Sequence, residues 1–267
     1  MKLFPTIAIA WKSFASRKAR LPLIVLIDLL FIYGLTRLHY EVFNRASVYA
    51  IKLTAMLGEQ VQSLGEDAVP AIDVLQSADF TAAYHALLRY IAIFFACAFL
   101  IWLICKGTAW FLAHKTALKK ANIRTFALPF LGATLFWTVA FLGMVFLALT
   151  ILNYALFGTF ALIGATVANA LIILLYWVLA YFVFISYAHA QPAVKNAFVI
   201  GAKHWRELLP VHVITSLILF VATTVPTSLI KLNVYLPLAF VVFVALPGIA
   251  WARVLWVTAV QQVIKNA

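Results

Sequence analysis

Charge is what this chain of 267 residues has least of: Asp, Glu, Lys and Arg make up 10% of it, against 66% hydrophobic residues and a mean hydropathy of +1.05. Soluble domains carry about 25% charged residues, so a water-soluble fold is excluded. Carboxylates are scarcest, eight against twenty Lys and Arg. A net charge of +12 could point to nucleic acid in a soluble protein. Here the basic residues fall in short segments between apolar runs, as the positive-inside rule requires, and no nucleic-acid partner is expected.

Other scarcities narrow the chemistry. The two cysteines, Cys97 and Cys105, share one apolar run. Their spacing is about 12 Å of helical rise, beyond the reach of a disulfide. There is no phosphate-cradling glycine loop, no Ser/His/Asp order and no HExxH-type motif, so neither catalytic residues nor a cofactor is expected. His114, His189, His204 and His212 fall toward one face, but none forms an i, i+4 pair and only Glu207 is near in sequence, so no metal site is expected. A signal peptide is not expected at the amino terminus, because MKLFPTIAIAWKSFASRKAR places its positive charges after its apolar residues, with no small-residue cleavage site.

What is present is the membrane-span pattern, six times. The first instance is LPLIVLIDLLFIYGLTRLHY, with Asp28 set inside it and a basic segment directly before it. A hydrocarbon core of about 30 Å takes roughly 20 apolar residues per helix. Spans are expected near 21–36, 88–111, 126–149, 160–186, 208–230 and 236–260, in one integral membrane domain covering 1–267. Residues 1–20 read as an interfacial amphipathic helix with Leu3, Phe4, Ile7, Trp11 and Phe14 on its apolar stripe and Lys12, Arg17, Lys18 and Arg20 mostly off it. Residues 37–87 form the only large polar region and hold all but two of the eight carboxylates. Val42, Ala46, Tyr49, Leu53 and Met56 keep helical spacing there, Gly65 and Pro70 mark a break, and a second amphipathic stretch leads into the second span. The spacing predicts an antiparallel helical hairpin on the extracytoplasmic side. Loop charges then place both termini in the cytoplasm of a multi-pass cell-membrane protein. The fold class is all-α and polytopic, with six transmembrane helices.

Candidate functional residues are those that are costly in lipid. Asp28 in the first span and Arg253 in the sixth fall at similar depth, and a lone charge at mid-bilayer costs at least about 2.5–3.5 kcal/mol. They are expected to pair or to share a polar cavity; a substrate, proton or lipid-headgroup site and snorkelling of Arg253 are the other readings. Asn169, Thr223 and Thr227, with further Ser and Thr of the fifth span and Asn153, would line an outward-facing groove if they converge; hydroxyls returning to their own helix are the bland alternative. Pro247-Gly248 should kink the sixth span. Lys115, Lys119, Lys120, Arg124, Lys203 and Arg206 are candidates for anionic headgroups or for docking of a cytoplasmic protein. Trp11, Trp102, Trp110, Trp205 and Trp256 read as interfacial anchors.

The stretch YAHAQPAVKNAFVIGAKHWRELLPVHVI, 187–214, and the opening WKSFASRKARLPLIVLIDLLF resemble six-span prokaryotic membrane families related to the membrane domain of glycerophosphodiester phosphodiesterases. There a span ends, a proline-containing turn follows, a short basic amphipathic helix lies at the cytoplasmic surface and the next span begins. Pro192, Ala197, Lys203 and 205–208 are the matching positions. The resemblance covers about a quarter of the chain and supplies no catalytic residue; the acidic hairpin departs from it. It implies a membrane scaffold or lipid-related role. The span count, the interfacial helix and the insertion after the first span also resemble exporter permeases that work with a separate ATPase. An insertase of the Oxa class ranks last, because its hairpin is cytoplasmic and basic. The expected partners are the bilayer and its anionic headgroups, with a protein partner at the hairpin or cytoplasmic loops.

Overall fold

A computed structural model describes residues 3–16, 20–63, 77–118, 121–157, 161–189, 193–231, 233 and 235–266, with side chains for all of these except 59–63, 152–157, 161–165 and 193. Every regular element among them is a helix. In chain order these are α1 (Leu3–Ser16), α2 (Arg20–Leu38), a π-helical turn (His39–Phe43), α3 (Asn44–Ser63), α4 (Ala78–Ala117), α5 (Ile123–Phe157), α6 (Ala161–His189), α7 (Ala193–Lys203), α8 (Trp205–Leu229), α9 (Tyr235–Phe240), a second π-helical turn (Val241–Ala245) and α10 (Leu246–Lys265). Six helical segments are long and apolar enough to cross a bilayer: Arg20–Gly58, Ala78–Ala117, Ile123–Ile151, Thr166–His189, Trp205–Leu229 and Tyr235–Lys265. The protein is an all-α, six-span membrane protein.

Local sequence sets the helix ends. The Ser77 hydroxyl accepts the Phe80 N–H at 3.2 Å at the start of α4, and the Asn122 side chain accepts the Arg124 N–H at 3.0 Å at the start of α5. Each satisfies one amide that the first helical turn leaves without an internal partner. The Arg20 guanidinium donates to the Lys115 carbonyl, one of the orphan acceptors in the last turn of α4. Proline at 247 is met by the π-helical turn just before it rather than by a break. In that turn the Leu246 N–H bonds the Val241 carbonyl, and helical structure runs from Tyr235 to Lys265.

The chain divides into two compact units: a core unit of Met1–Asp28 with Gly107–Ala267, and a hairpin unit of Leu29–Lys106. In the core unit α1 packs on α10, α10 packs on α6 and α8, and α6 packs on α5 and α7. Every residue from Ala252 to Val260 is buried. The face of α1 that docks is Thr6, Ala10 and Phe14, fixed by a 2.6 Å hydrogen bond from the Thr6 hydroxyl to the Gln262 side-chain oxygen and an edge contact of Trp11 with Trp251. This splits the expected stripe, because Phe4 and Trp11 stay exposed. Between helices in lipid, small residues permit close approach, while large apolar ones lose nothing by facing acyl chains.

In the hairpin unit, α2 and α3 run antiparallel to α4. Contacting positions fall on one helix as they rise on the other: Phe31 with Trp102, His39 with Phe94, Tyr49 with Tyr90. The expected break at Gly65 and Pro70, with Glu66, Asp67 and Asp73, lies outside the described residues.

Candidate functional site: a buried ion pair in the core unit

Asp28 sits one turn beyond Ile24 on α2, and both are 1% exposed. Arg253 projects from the buried run of α10 and is itself buried. Its two terminal nitrogens donate to the two carboxylate oxygens, Nη1 to Oδ2 at 2.6 Å and Nη2 to Oδ1 at 2.9 Å. This is the two-pronged arrangement in which a planar guanidinium matches a carboxylate, and it is the strongest form of the contact. Each charge alone would be costly in the bilayer; together they present almost no net charge to it. Chemically the fork clamps α2 to α10.

In the core unit α6 acts as a hub, sharing polar contacts with four other helices. The His114 Nε2 on α4 donates to the Tyr187 carbonyl at 2.9 Å, and the His212 Nε2 on α8 donates to the Trp177 carbonyl at 3.0 Å. A carbonyl only accepts, so Nε2 carries the hydrogen in each. Trp137 on α5 donates through its indole N–H to the Ser186 hydroxyl at 3.0 Å, Trp177 donates to Ser216 on α8 at 2.9 Å, and the Tyr181 hydroxyl donates to the Gly201 carbonyl of α7 at 3.0 Å. The His212 ring is enclosed by Trp177, Tyr181, Phe184 and Trp256, with centroids 4.5 to 6.1 Å away. Trp110 and Trp256 are therefore core residues, 3% and 0% exposed, and correct the expectation of interfacial anchors. An interfacial tryptophan needs water at its N–H end, and these two are packed among Phe184, Tyr187 and Tyr181 instead. Trp11 and Trp205 remain more than half exposed or close to it, at 59% and 50%, and Trp102 is exposed at the edge of Phe31.

The other candidate residues are not gathered. The hydroxyl of Thr223 donates to the Leu219 and Phe220 carbonyls and that of Thr227 to the Thr224 carbonyl, all within α8. Both side chains are exposed, as is Asn169 on α6. The expected polar groove does not form from them, because each hydroxyl finds its acceptor one turn back on its own helix. The side chain of Asn153, and Lys119 and Lys120, lie outside what is described. Lys115, Arg124, Lys203 and Arg206 are all exposed, with Lys115 over the Phe111 ring and Arg206 over that of Trp205. Lys195 joins Lys203 and Arg206 on the outer side of α7 and the start of α8, while Ala197 and Gly201 face inward.

One intramembrane charge carries no mark in the sequence reading. Lys106 in the hairpin unit places its ammonium 3.9 Å from the centroid of Phe31, which also meets Trp102 edge-on. A cation over a desolvated ring gains up to about 2 kcal/mol. The signal was a lone cation within the second apolar run, as unusual there as Asp28 is in the first. Among the described residues no three His, Cys, Asp or Glu side chains come together as a metal site would need.

Comparison of the chain with protein families, with curated proteins and with solved structures finds no match.

Proposed function

We propose that this chain is a non-catalytic, lipid-associated scaffold of the cell membrane, with both termini in the cytoplasm. The observation that carries this reading is the closed Asp28–Arg253 fork. This buried charge pair joins the first and last spans, with both terminal nitrogens of Arg253 donating to the two Asp28 oxygens. The exposed basic residues Lys115, Arg124, Lys195, Lys203 and Arg206 suit anionic headgroups, each adding about 1 kcal/mol near such a surface. The order of elements from α6 through α7 to α8 is a span, a turn, a short amphipathic helix and a span. That order supports the likeness to the six-span families related to the glycerophosphodiester phosphodiesterase membrane domain.

The test is gentle extraction of the full chain from its native membrane, followed by mass spectrometry of whatever remains bound. Retained anionic lipid, or an envelope protein held without any nucleotide hydrolase, is the expected result. A soluble ATPase bound one to one would overturn the scaffold reading and put the permease in its place.

A further inference from the structure

We infer that the core unit holds one acyl chain of an anionic phospholipid in a groove between α8 and the last span, with the phosphate of that lipid at Lys231. This goes beyond the scaffold reading, which requires no lipid at a defined place, and it stands or falls separately from it.

The groove encloses about 280 Å³ and is walled by Leu217, Val221 and Ala222 on α8 and by Phe240, Val244 and Ala245 on the facing segment. A cavity of about 150 Å³ already holds a benzene ring, so this one takes a stretch of hydrocarbon chain. Its floor is a close helix contact: a Cβ at Gly248 would lie 3.3 Å from Ile218, so only glycine lets α10 approach α8 this closely without displacement. Above that contact Ala222 and Ala245 contribute single methyl groups, and the space between the helices stays open to the side. An unfilled space there would cost its lining its dispersion contacts, and in a bilayer the filler at hand is an acyl chain.

Charge decides which lipid. Lys231 is the only charged residue between Glu207 and Arg253, and it lies in the turn that joins α8 to α9. It is exposed, and no ion pair involves it among the described residues. Tyr235, 78% exposed at the start of α9, supplies the amphipathic ring typical of the headgroup level. Lys231 lies nine residues beyond Ala222, about 13 Å along a helix. One leaflet of a roughly 30 Å hydrocarbon core is about 15 Å deep. A chain descending from a phosphate at Lys231 therefore reaches the groove near Ala222 and ends within it.

The experiment reconstitutes the full chain in phosphatidylcholine vesicles with a trace of phosphatidylglycerol carrying a photoactivatable group near its acyl terminus, and maps the labelled peptides after illumination. Labelling of 217–222 and 240–248 should exceed that of Ile173 and Leu174, which are exposed on α6, by about fivefold, the factor a lysine at an anionic surface is worth. Ala245→Leu should remove the excess by filling the groove. Lys231→Gln, on an exposed turn where folding is not at stake, should bring phosphatidylglycerol labelling down to that of a phosphatidylcholine probe. Labelling equal to that of the α6 surface, or a phosphatidylglycerol preference unchanged by Lys231→Gln, would overturn the assignment.

Discussion

Each unit holds an Arg–carboxylate pair, and the two pairs share nearly the same distances in very different settings. In the core unit Arg253 and Asp28 meet at 2.6 and 2.9 Å and are almost completely buried. In the hairpin unit Arg37 and Glu41, one turn apart on the same helical rod, meet at 2.9 Å with their side chains 61% and 46% exposed. The surroundings follow the same division. The core unit buries an unbroken run of α10, whereas α3 of the hairpin unit buries Ala46 and Leu53 and leaves Val48 and Ile51 exposed. Distance alone therefore says little about what a pair contributes. Burial decides, because it removes the water that would otherwise serve either ion alone.

The largest effect should come from breaking the core pair. Asp28→Asn or Arg253→Gln alone leaves a buried charge without its counter-charge and should cost about 3–5 kcal/mol, whereas the variant carrying both should cost far less than the sum. Thermal unfolding of the purified protein in mild detergent, arranged as a double-mutant cycle, measures the difference. Additive losses would mean that the fork does not clamp α2 to α10.

The sequence makes this pair readable because both residues are anomalies against a uniform background: two charges in apolar runs, at matched depth on spans of opposite direction. The six spans were readable for the same reason. The packing of the core unit was not. His114 and His212 as staples to α6, and Trp110 and Trp256 as core, depend on which faces of apolar helices meet, and a helix that is apolar all round carries no such information in its pattern. The π-helical turn at His39–Phe43 has no proline or glycine to announce it. Thr223 and Thr227 look alike in sequence whether they line a groove or bond back to their own helix, and only the folded chain separates the two.

A smaller effect, opposite in sign between the units, is expected at glycine. At Gly201 in α7 an added Cβ would fall 2.8 Å from Phe182 and 3.0 Å from Ile185, and the Gly201 carbonyl also receives the Tyr181 hydroxyl. Gly201→Ala should destabilise by about 1–3 kcal/mol through overpacking. At Gly58 in α3 nothing lies within 4 Å of the same atom. There Gly58→Ala should stabilise the helix by about 0.5–1 kcal/mol, since alanine forfeits less backbone entropy and meets no obstacle. Amide hydrogen exchange should show slower exchange in α3 for Gly58→Ala and faster exchange in α6 and α7 for Gly201→Ala. Equal signs at the two sites would remove the contrast in packing between the units.

The smallest effect sharpens the comparison most. Glu41→Gln removes the carboxylate of the hairpin pair and keeps its shape. An exposed i, i+4 pair contributes about 0.3–0.5 kcal/mol, and salt screens it further. The expected change is thus about a tenth of that for Asp28→Asn, although both substitutions delete one carboxylate charge facing one arginine. Added sodium chloride should erase the Glu41 effect and leave the Asp28 effect standing, because buried pairs are screened much less. A loss at Glu41 of several kcal/mol that persists in high salt would show that the face of the hairpin bearing Arg37 and Glu41 is covered in the native membrane. In that case the 61% and 46% exposures would describe the isolated chain alone, and the hairpin would carry a bound partner over that pair.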